Sequence, residues 1–364
     1  MYVLIFLIVL AVLVLVHEFG HFYAAKKSGV RVDEFGLGFP PRLWGKKIGE
    51  TVYSINAIPF GGFVKIFGET PDEEAISGAD SARSFVNKPR YIQIIILAAG
   101  IVMNMLFAWI LFSIAYMSGM TTGISEQNSK YIRDSHVIVL DTLPNSPAMQ
   151  AGLKEGDEII AYRAGGATTT VASPTTIQQI TKNSGGRPIT FEVQRLNQTM
   201  YATVKPAPTA EKGDYIIGIS MDIVGKANLP VGLAFVEGAK LTWSLFGNIF
   251  SGLYHLIHDA FLGRADISQL SGPVGIARLV GDATKLGFVY LISFTAFISL
   301  NLAALNLIPF PALDGGRILF VIIEAIRRKS ISPKVANTVN AIGFAILLAF
   351  MAFVTYRDIL KIWG

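Results

Sequence analysis

Two histidines and a glutamate stand together near the amino terminus, directly after a long apolar run without a charged residue. They form His17-Glu18-Phe19-Gly20-His21, which fits the pattern H-E-x-x-H. Residues four apart share one face of a helix, so the imidazoles of His17 and His21 can bind one Zn²⁺. Glu18 is then placed to take a proton from the water that a metal activates. Because charge in an apolar helix is costly unless a partner offsets it, the pattern predicts a metal centre.

A third ligand has to come from elsewhere in the chain, since a catalytic zinc normally takes three protein ligands and leaves one position open. There is no cysteine, and the remaining histidines lie in polar segments, so we expect a carboxylate. Asp314 is the predicted ligand, because Pro309 and Pro311 precede it and Gly315-Gly316 follows it, which interrupts an apolar helix. In the alternative interpretation, Asp314 lies in a cytoplasmic turn and pairs with Arg317.

The composition indicates which kind of protein must position these residues. Of the 364 residues, 52% are hydrophobic and only 16% are charged, which is typical of a polytopic membrane protein. The net charge of +5 is not concentrated in a basic run, so we expect no nucleic acid partner. The amino-terminal apolar run has no basic residue before it and no small-residue cleavage site after it, so we expect it to stay in the membrane.

Four stretches are long and apolar enough to span a bilayer, which takes about 20 residues. They are Tyr2–Ala25, Tyr91–Ser118, Leu286–Ile308 and Asn337–Tyr356. The loop at 24–90 holds ten Lys or Arg, and four more crowd the loop before the last span. By the positive-inside rule both loops are cytoplasmic, which places the amino terminus and the large segment at 119–230 outside. His17 then lies about 22 Å along the first helix, toward the cytoplasmic side.

The first loop is expected to contain a membrane-associated β-hairpin. Residues 50–69 alternate between apolar and polar side chains, with Gly61-Gly62 at the centre. Their apolar content favours a hairpin that dips toward the membrane, where its backbone must be covered by protein or line a water-filled cavity. A surface hairpin with an apolar tip explains the pattern equally well.

Residues 123–225 change to short β-rich runs separated by turns, which predicts a soluble domain. The piece SPAMQAGLKEGDEIIAY is similar to the helix and following strand of bacterial PDZ domains, and YIIGIS would then be the carboxylate-binding strand and loop. An unrelated small β-rich domain is the alternative. Residues 231–262 place apolar side chains on one helical face and polar ones on the other, which predicts an amphipathic helix.

The order of motifs resembles that of the site-2 protease family over nearly the whole chain, in particular its bacterial branch that regulates envelope stress. The motifs are HEFGH in the first span, a Gly-Gly hairpin, AAGIVMN in the second span, an external PDZ domain, LSGPVGIA, and NLIPFPALDGGR at the third span. The pair H-E-x-x-H and N-x-x-P-x-P-x-L-D-G is highly specific. The Gram-negative branch carries two tandem PDZ domains, whereas this chain has room for one.

The resemblance implies roles for individual residues. His17, His21 and Asp314 would bind Zn²⁺, and Glu18 would be the general base. Further residues would contact substrate: Asn306 beside the scissile carbonyl, Asn104 in the Gly100–Asn104 element, and Gly61 and Gly62, whose hairpin would hold the substrate as an added strand. Edge pairing suits an unwound helix, because it satisfies the freed backbone groups.

The sequence thus predicts a polytopic α-helical membrane protein with a β-hairpin and an inserted, extracytoplasmic α+β PDZ domain. The expected parts are 1–122, 123–225 and 226–364. The expected function is an intramembrane zinc endopeptidase of the bacterial inner membrane that cleaves single-pass proteins, such as anti-sigma factors or signal-peptide remnants. Expected partners are membrane lipid and a C-terminal peptide in the PDZ groove. The alternative functions are a non-enzymatic PDZ scaffold and a metal transporter. Transporters are often built from repeated spans, and the sequence shows no such repeat.

Overall fold

The computed structural model describes most of the chain in nine stretches. They are residues 2–70, 73–124, 128–164, 167–171, 173–195, 198–209, 214–264, 271–329 and 331–363. Leu270, the first residue of the LSGPVGIA motif, lies outside them. The described chain forms two compact units, one made of 1–115 with 232–364 and the other of 116–231.

Four helices of the first unit are long and apolar enough to cross a membrane, in agreement with the four predicted spans. They are α1 (Tyr2–Lys27), α3 (Arg90–Met117), α8 (Phe288–Leu307) and α10 (Pro333–Trp363). The unit also holds α2 (Glu73–Ser77), α6 (Val231–Phe261), α7 (Pro273–Leu286) and α9 (Asp314–Arg327). The amphipathic segment predicted at 231–262 corresponds to α6.

The first loop forms a folded-back sheet from two long strands, β1 (Val32–Ile48) and β2 (Thr51–Ile66). Residues 34–37 pair with 62–65 on one side and with 52–55 on the other, while 42–48 pair with 51–56. The ladder therefore has four segments, in the order 62–66, 32–37, 51–55 and 42–48. The two outer segments, 62–66 and 42–48, are the edges of this sheet.

The sequence predicted a hairpin centred on Gly61-Gly62, and this position of the turn is wrong. The structure puts the turn at Gly49-Glu50, between β1 and β2, and places both central glycines within β2. Gly61 has φ +92°, which a residue without Cβ adopts at little cost, and the chain redirects there so that the second half of β2 reaches the far side of β1. The glycine pair therefore marks a bend at the start of an edge segment.

The chain breaks sharply between α8 and α9, as the two prolines predict. Helix α8 ends at Leu307, and α9 begins at Asp314, which directly precedes Gly315-Gly316. Gly315 packs against the carbonyl oxygens of Leu307 and Ile308, where a Cβ would clash with backbone. Because this close approach needs glycine, the sequence Asp-Gly-Gly lets the chain reverse tightly and presents Asp314 at the first turn of α9.

The second unit is built on a seven-stranded antiparallel sheet. Its strands are β3 (Met120–Gly123), β4 (Ile132–Thr142), β5 (Glu158–Ala164), β6 (Ala167–Thr170), β7 (Ile189–Arg195), β8 (Gln198–Val204) and β11 (Ile219–Ala227). They follow the order β3-β11-β4-β5-β7-β8, with β6 paired to β5. The two-residue strands β9 (Ala207–Pro208) and β10 (Tyr215–Ile216) pair with each other. Helices α4 (Pro147–Gln150) and α5 (Pro174–Asn183) complete the unit.

Local signals explain how this unit folds. Ser146 accepts a hydrogen bond from the Met149 N–H and so caps α4, which begins with a proline. Asp157 is fully buried and is held by the Arg195 guanidinium in a bidentate ion pair, with N–O distances of 2.6 and 2.8 Å. This ion pair joins the start of β5 to the end of β7. The segment predicted as a soluble domain, 123–225, lies within this unit.

Candidate metal centre

Three ligand-type atoms from the two ends of the chain meet in the first unit. Asp314 Oδ2 lies 3.0 Å from His17 Nε2 and 3.3 Å from His21 Nε2. The two Nε2 atoms are 3.2 Å apart. Both imidazoles are buried, and the carboxylate is nearly so. Within the described residues, this is the group of histidine and acidic side chains that can hold a metal ion.

The geometry and the polar contacts of this triangle fit zinc. Ligand atoms bound about 2.0–2.1 Å from a tetrahedral Zn²⁺ stand about 3.3–3.4 Å apart, close to the three observed separations. Asp314 Oδ2 is buried, and no described residue donates a hydrogen bond to it, although two ring nitrogens are within 3.3 Å. A buried carboxylate oxygen without a donor is costly. A cation held between the three atoms satisfies it, so these residues suit the metal.

Helix α3 contacts both histidines on the side away from Asp314. His21 Nδ1 donates a hydrogen bond to the Ile96 carbonyl, with an N–O distance of 2.8 Å. The amide of Asn104 lies beside His17, with Nδ2 and Nδ1 3.2 Å apart. Such outer contacts orient an imidazole and determine which of its nitrogens faces a metal. The structure therefore places Asn104, predicted as a substrate contact, directly against a predicted zinc ligand.

Helices α1 and α3 approach closely because both carry glycine at the crossing. A Cβ on Gly20 would meet the Ala99 backbone and would lie 2.9 Å from Gly100 Cα. A Cβ on Gly100 would lie 2.5 Å from His21 Nε2 and 2.8 Å from His17 Cε1. Small residues allow this kind of backbone approach between membrane helices. Without it, Ile96 and Asn104 could not reach the imidazoles.

Glu18 lies on α1 next to the bend in β2. Its side chain is half-buried and forms no hydrogen bond with any described residue. A Cβ on Gly62 would lie 3.8 Å from Glu18 Cγ and 3.8 Å from Val14. The bend at Gly61 also faces α1, since a Cβ there would lie 3.7 Å from Val14. The structure thus brings Gly62 beside Glu18 and both glycines beside Val14 of α1.

Two other sequence-based interpretations concern the segment around Asp314. The alternative pairing of Asp314 with Arg317 is wrong, because the Arg317 guanidinium forms its ion pair with Glu69. Asp314 instead contacts the histidines. Asn306 lies in the last turn of α8 and is half-buried.

Some contacts at the centre carry no clear sequence signal. The Ile96 carbonyl belongs to the backbone, so no side-chain type marks it. Ser299, on α8, donates a hydrogen bond to the Asn104 carbonyl at 2.8 Å, and it is one of two serines in that helix. Gly20 lies inside the H-E-x-x-H motif, and its pairing with Gly100 could have been predicted from small residues on two spanning helices.

Comparison with known families identifies one family over most of the chain. The family model for peptidase family M50 matches residues 5–350. A relative from Clostridium perfringens, named as a zinc metalloprotease, is 37% identical over 361 residues and covers 99% of both chains. Zinc metalloprotease RasP of Geobacillus kaustophilus is 30% identical and covers 98% of this chain and 97% of its own.

Two further comparisons concern a named regulator and a solved structure. Regulator of sigma-W protease RasP of Bacillus subtilis is 29% identical over 436 residues, covering 99% of both chains. Among solved structures, the PDZ domain of an SdrC-like protein from Listeria innocua matches with a TM-score of 0.21 and 22% identity. That match covers 24% of this chain and 92% of the other.

Proposed function

This chain belongs to peptidase family M50 and is a zinc metalloprotease, and from that premise we propose that it cleaves within or near the transmembrane segments of single-pass membrane proteins. The observation that carries the proposal is the triangle of His17, His21 and Asp314. Two of its members lie on a helix long and apolar enough to span a bilayer. A peptidase centre on such a helix acts on peptide bonds at membrane depth.

The proposed chemistry divides among the residues of the centre. Zinc, when bound, lowers the pKa of a water molecule to about 7 and polarises the scissile carbonyl. His17, His21 and Asp314 are the residues that would hold the ion. The Glu18 side chain forms no hydrogen bond with any described residue, and its carboxylate would accept the proton from the attacking water.

Asn306 is proposed to donate a hydrogen bond to the scissile carbonyl oxygen as negative charge develops there. A preformed amide donor of this kind costs no reorganisation during the reaction. Its place in the last turn of α8, just before the break that leads to Asp314, is compatible with this role. Asn104 contributes through His17.

The edge segment of β2 that begins at Gly61-Gly62 is proposed to hold the substrate. Residues 62–65 pair with β1 on one side, and the described residues provide no backbone partner on the other. A substrate helix must unwind to expose a peptide bond, and an added strand would satisfy its freed N–H and C=O groups. Since Gly62 lies beside Glu18, a strand added here would lead its backbone toward the metal.

Water for hydrolysis can be supplied from a polar cavity in the same unit. The cavity has a volume of about 310 Å³ and is lined by charged and amide side chains together with the turn before Asp314. Its polar lining includes Glu69, Arg90, Gln93, Arg317 and Glu324. The basic loops place it on the cytoplasmic side in the proposed topology, in which the amino terminus and the β-rich unit face outside.

The β-rich unit is proposed to be a PDZ domain that binds a chain terminus and filters substrates. A cavity of about 260 Å³ lies between α5 and the segment at 215–221, and its lining includes Ile177, Thr181 and Gly218. The edge of β11 is paired with β3 only at 224–227. Ile223 also accepts a hydrogen bond from the Ile124 N–H, so residues 219–222 retain an edge beside α5 where a peptide strand can pair. In the inner membrane, substrates shortened by another protease, such as anti-sigma factors, or signal-peptide remnants would expose such termini.

A reconstituted assay tests the proposed function. Purified protein is reconstituted in liposomes with a single-pass membrane protein as reporter, and the cleavage products are identified by mass spectrometry. We expect cuts within or next to the transmembrane segment, complete inhibition by a zinc chelator, and recovery after zinc is added back. Folded, zinc-loaded protein that leaves the reporter intact would contradict the proposal. Zinc flux across the vesicles without cleavage would favour a transporter instead.

Replacing Gly62 with alanine tests the substrate edge. The added methyl group would lie 3.0 Å from the Gly36 carbonyl oxygen and 3.8 Å from Glu18 Cγ, so it would narrow the space beside the helix. We expect KM for the reporter to rise about tenfold, with zinc content unchanged. Gly45→Ala is the matched control, because its methyl group lies on the opposite edge and first meets the flexible Arg42 side chain. Equal KM values for the two variants would exclude this edge.

A further inference from the structure

The Asn104 amide is fully buried at the proposed centre, yet half of it has no partner. Its Nδ2 lies 3.2 Å from His17 Nδ1, whereas its Oδ1 accepts no hydrogen bond from any described residue. Only three buried side-chain atoms in the described part of the chain lack a partner, and Asp314 Oδ2 is another of them. Since unpartnered buried polar atoms are rare, two in one place call for a common cause.

The donors and acceptors around the two imidazoles can be assigned one after another, starting from the Ile96 carbonyl. The Ile96 carbonyl can only accept, so His21 Nδ1 carries the ring hydrogen and His21 Nε2 is an acceptor. His17 Nε2, 3.2 Å away, can then donate to it, and His17 Nδ1 accepts from the Asn104 amide. In this arrangement His17 Nε2 carries a hydrogen and cannot coordinate a metal. Asn104 Oδ1 and Asp314 Oδ2 are the two atoms it leaves unpaired.

A half-turn of the Asn104 amide gives a second arrangement with the same backbone. The two ends of an amide have nearly the same shape, so the half-turn exchanges a donor for an acceptor at one place. Oδ1 then faces His17 Nδ1, which must carry the hydrogen, and Nε2 presents a lone pair. The imidazole then donates to Oδ1 and a bound cation satisfies Asp314 Oδ2, while Nδ2 moves to the position that Oδ1 had.

We propose that Asn104 is a positioning residue that selects the ring tautomer of His17 and turns its amide by half a revolution when Zn²⁺ binds. This rests on the proposed ligand set of His17, His21 and Asp314. Asparagine suits the task because it offers a donor and an acceptor from one position, whereas aspartate offers acceptors and leucine offers neither. The Ser299 hydroxyl holds the Asn104 carbonyl at 2.8 Å, so the change is confined to the side chain.

Zinc affinity of two nearly isosteric variants tests the proposal. The measurement is competition with a chelating dye in detergent, on protein whose thermal melt is native-like. We expect Asn104→Leu to weaken zinc binding about 10- to 100-fold, because outer partners of metal-bound imidazoles contribute that much. Asn104→Asp keeps an acceptor for Nδ1 and should bind zinc at least as tightly as the native protein. Native affinity in the leucine variant, or equal weakening in both, would overturn the proposal.

A spectroscopic measurement on the unaltered chain gives a second test. Nitrogen-15 NMR of histidine-labelled protein reports which ring nitrogen carries the hydrogen, and the His17 signals are identified by their absence in His17→Gln. We expect hydrogen on Nδ1 of His17 in zinc-loaded protein and on Nε2 after chelation. The same tautomer in both states would overturn the half-turn, and this test does not depend on a variant that folds.

The two proposals can fail separately. Asp314→Ala with unchanged zinc affinity would reject the ligand set, and the tautomer proposal would lose its basis. If instead the reporter in liposomes stays intact while Asn104→Leu weakens zinc binding, intramembrane cleavage is excluded and the positioning role of Asn104 stands.

Discussion

Replacing Glu18 with glutamine is expected to lower the cleavage rate of a membrane-embedded reporter about 100- to 10,000-fold, the usual contribution of a general base. The protein should keep its zinc, because Glu18 lies outside the triangle of His17, His21 and Asp314. Glutamine has nearly the same shape as glutamate but cannot accept the proton. The measurements are single-turnover rate in liposomes and zinc content of the purified variant.

Glu237→Gln is the matched control for this experiment. Glu237 is a carboxylate on α6 in the same unit, and it pairs with Lys240 rather than with the centre. Its variant should cleave at the native rate. Unchanged cleavage by Glu18→Gln would reject the assigned base and favour a scaffold whose H-E-x-x-H segment is structural. Loss of zinc from that variant would show that Glu18 belongs to the ligand set.

Replacing Gly100 with alanine is expected to abolish zinc binding and cleavage together. The new methyl group would lie 2.5 Å from His21 Nε2 and 2.8 Å from His17 Cε1, distances at which the rings or the helices must move. Overpacking of this kind costs about 1–3 kcal/mol of stability. Any shift of the rings also opens the triangle of ligand atoms. Zinc content, thermal melting and reporter cleavage measure the three effects.

Gly247→Ala provides the comparison, because a Cβ at that position meets no atom within 4 Å and also lies in a helix. Its melting temperature should stay the same or rise, since alanine favours a helix by about 1 kcal/mol over glycine. Native zinc content in Gly100→Ala would mean that α1 and α3 can separate without disturbing the centre.

The sequence allowed the helices and the ligand-type residues to be predicted because both depend on local patterns. Apolar length alone marks a spanning helix, and the four predicted stretches match α1, α3, α8 and α10 within a few residues at most ends. The two prolines and the glycine pair around Asp314 specify a break. That break explains how an acidic residue can reach the two imidazoles.

The sheet and its pairing were harder to predict, because register is a long-range property. A Gly-Gly pair in an alternating segment is compatible with a turn or with a bend, and only the pairing of β2 with both sides of β1 distinguishes them. Helix α7 begins at Pro273, inside the LSGPVGIA motif, and no helix was predicted there. Its residues are less apolar than those of a span, so hydropathy alone gives no signal.

Contacts to the imidazoles could not be predicted in detail from residue types. Gly100 and Asn104 belong to one sequence element, but the sequence does not indicate that Asn104 contacts His17 rather than a substrate. Which atoms meet depends on how closely α1 and α3 approach, and the Gly20 crossing determines that distance. The acceptor for His21 is a backbone carbonyl, which every residue carries.

The proposed ligands come from α1, near the start of the chain, and α9, near its end. During synthesis, the histidines therefore enter the membrane long before Asp314 leaves the ribosome, and the β-rich unit and a further span are made in between. Until Asp314 emerges, a nascent chain holds only two of the three proposed ligands. With these proposed ligands, the centre can form only when translation is almost finished.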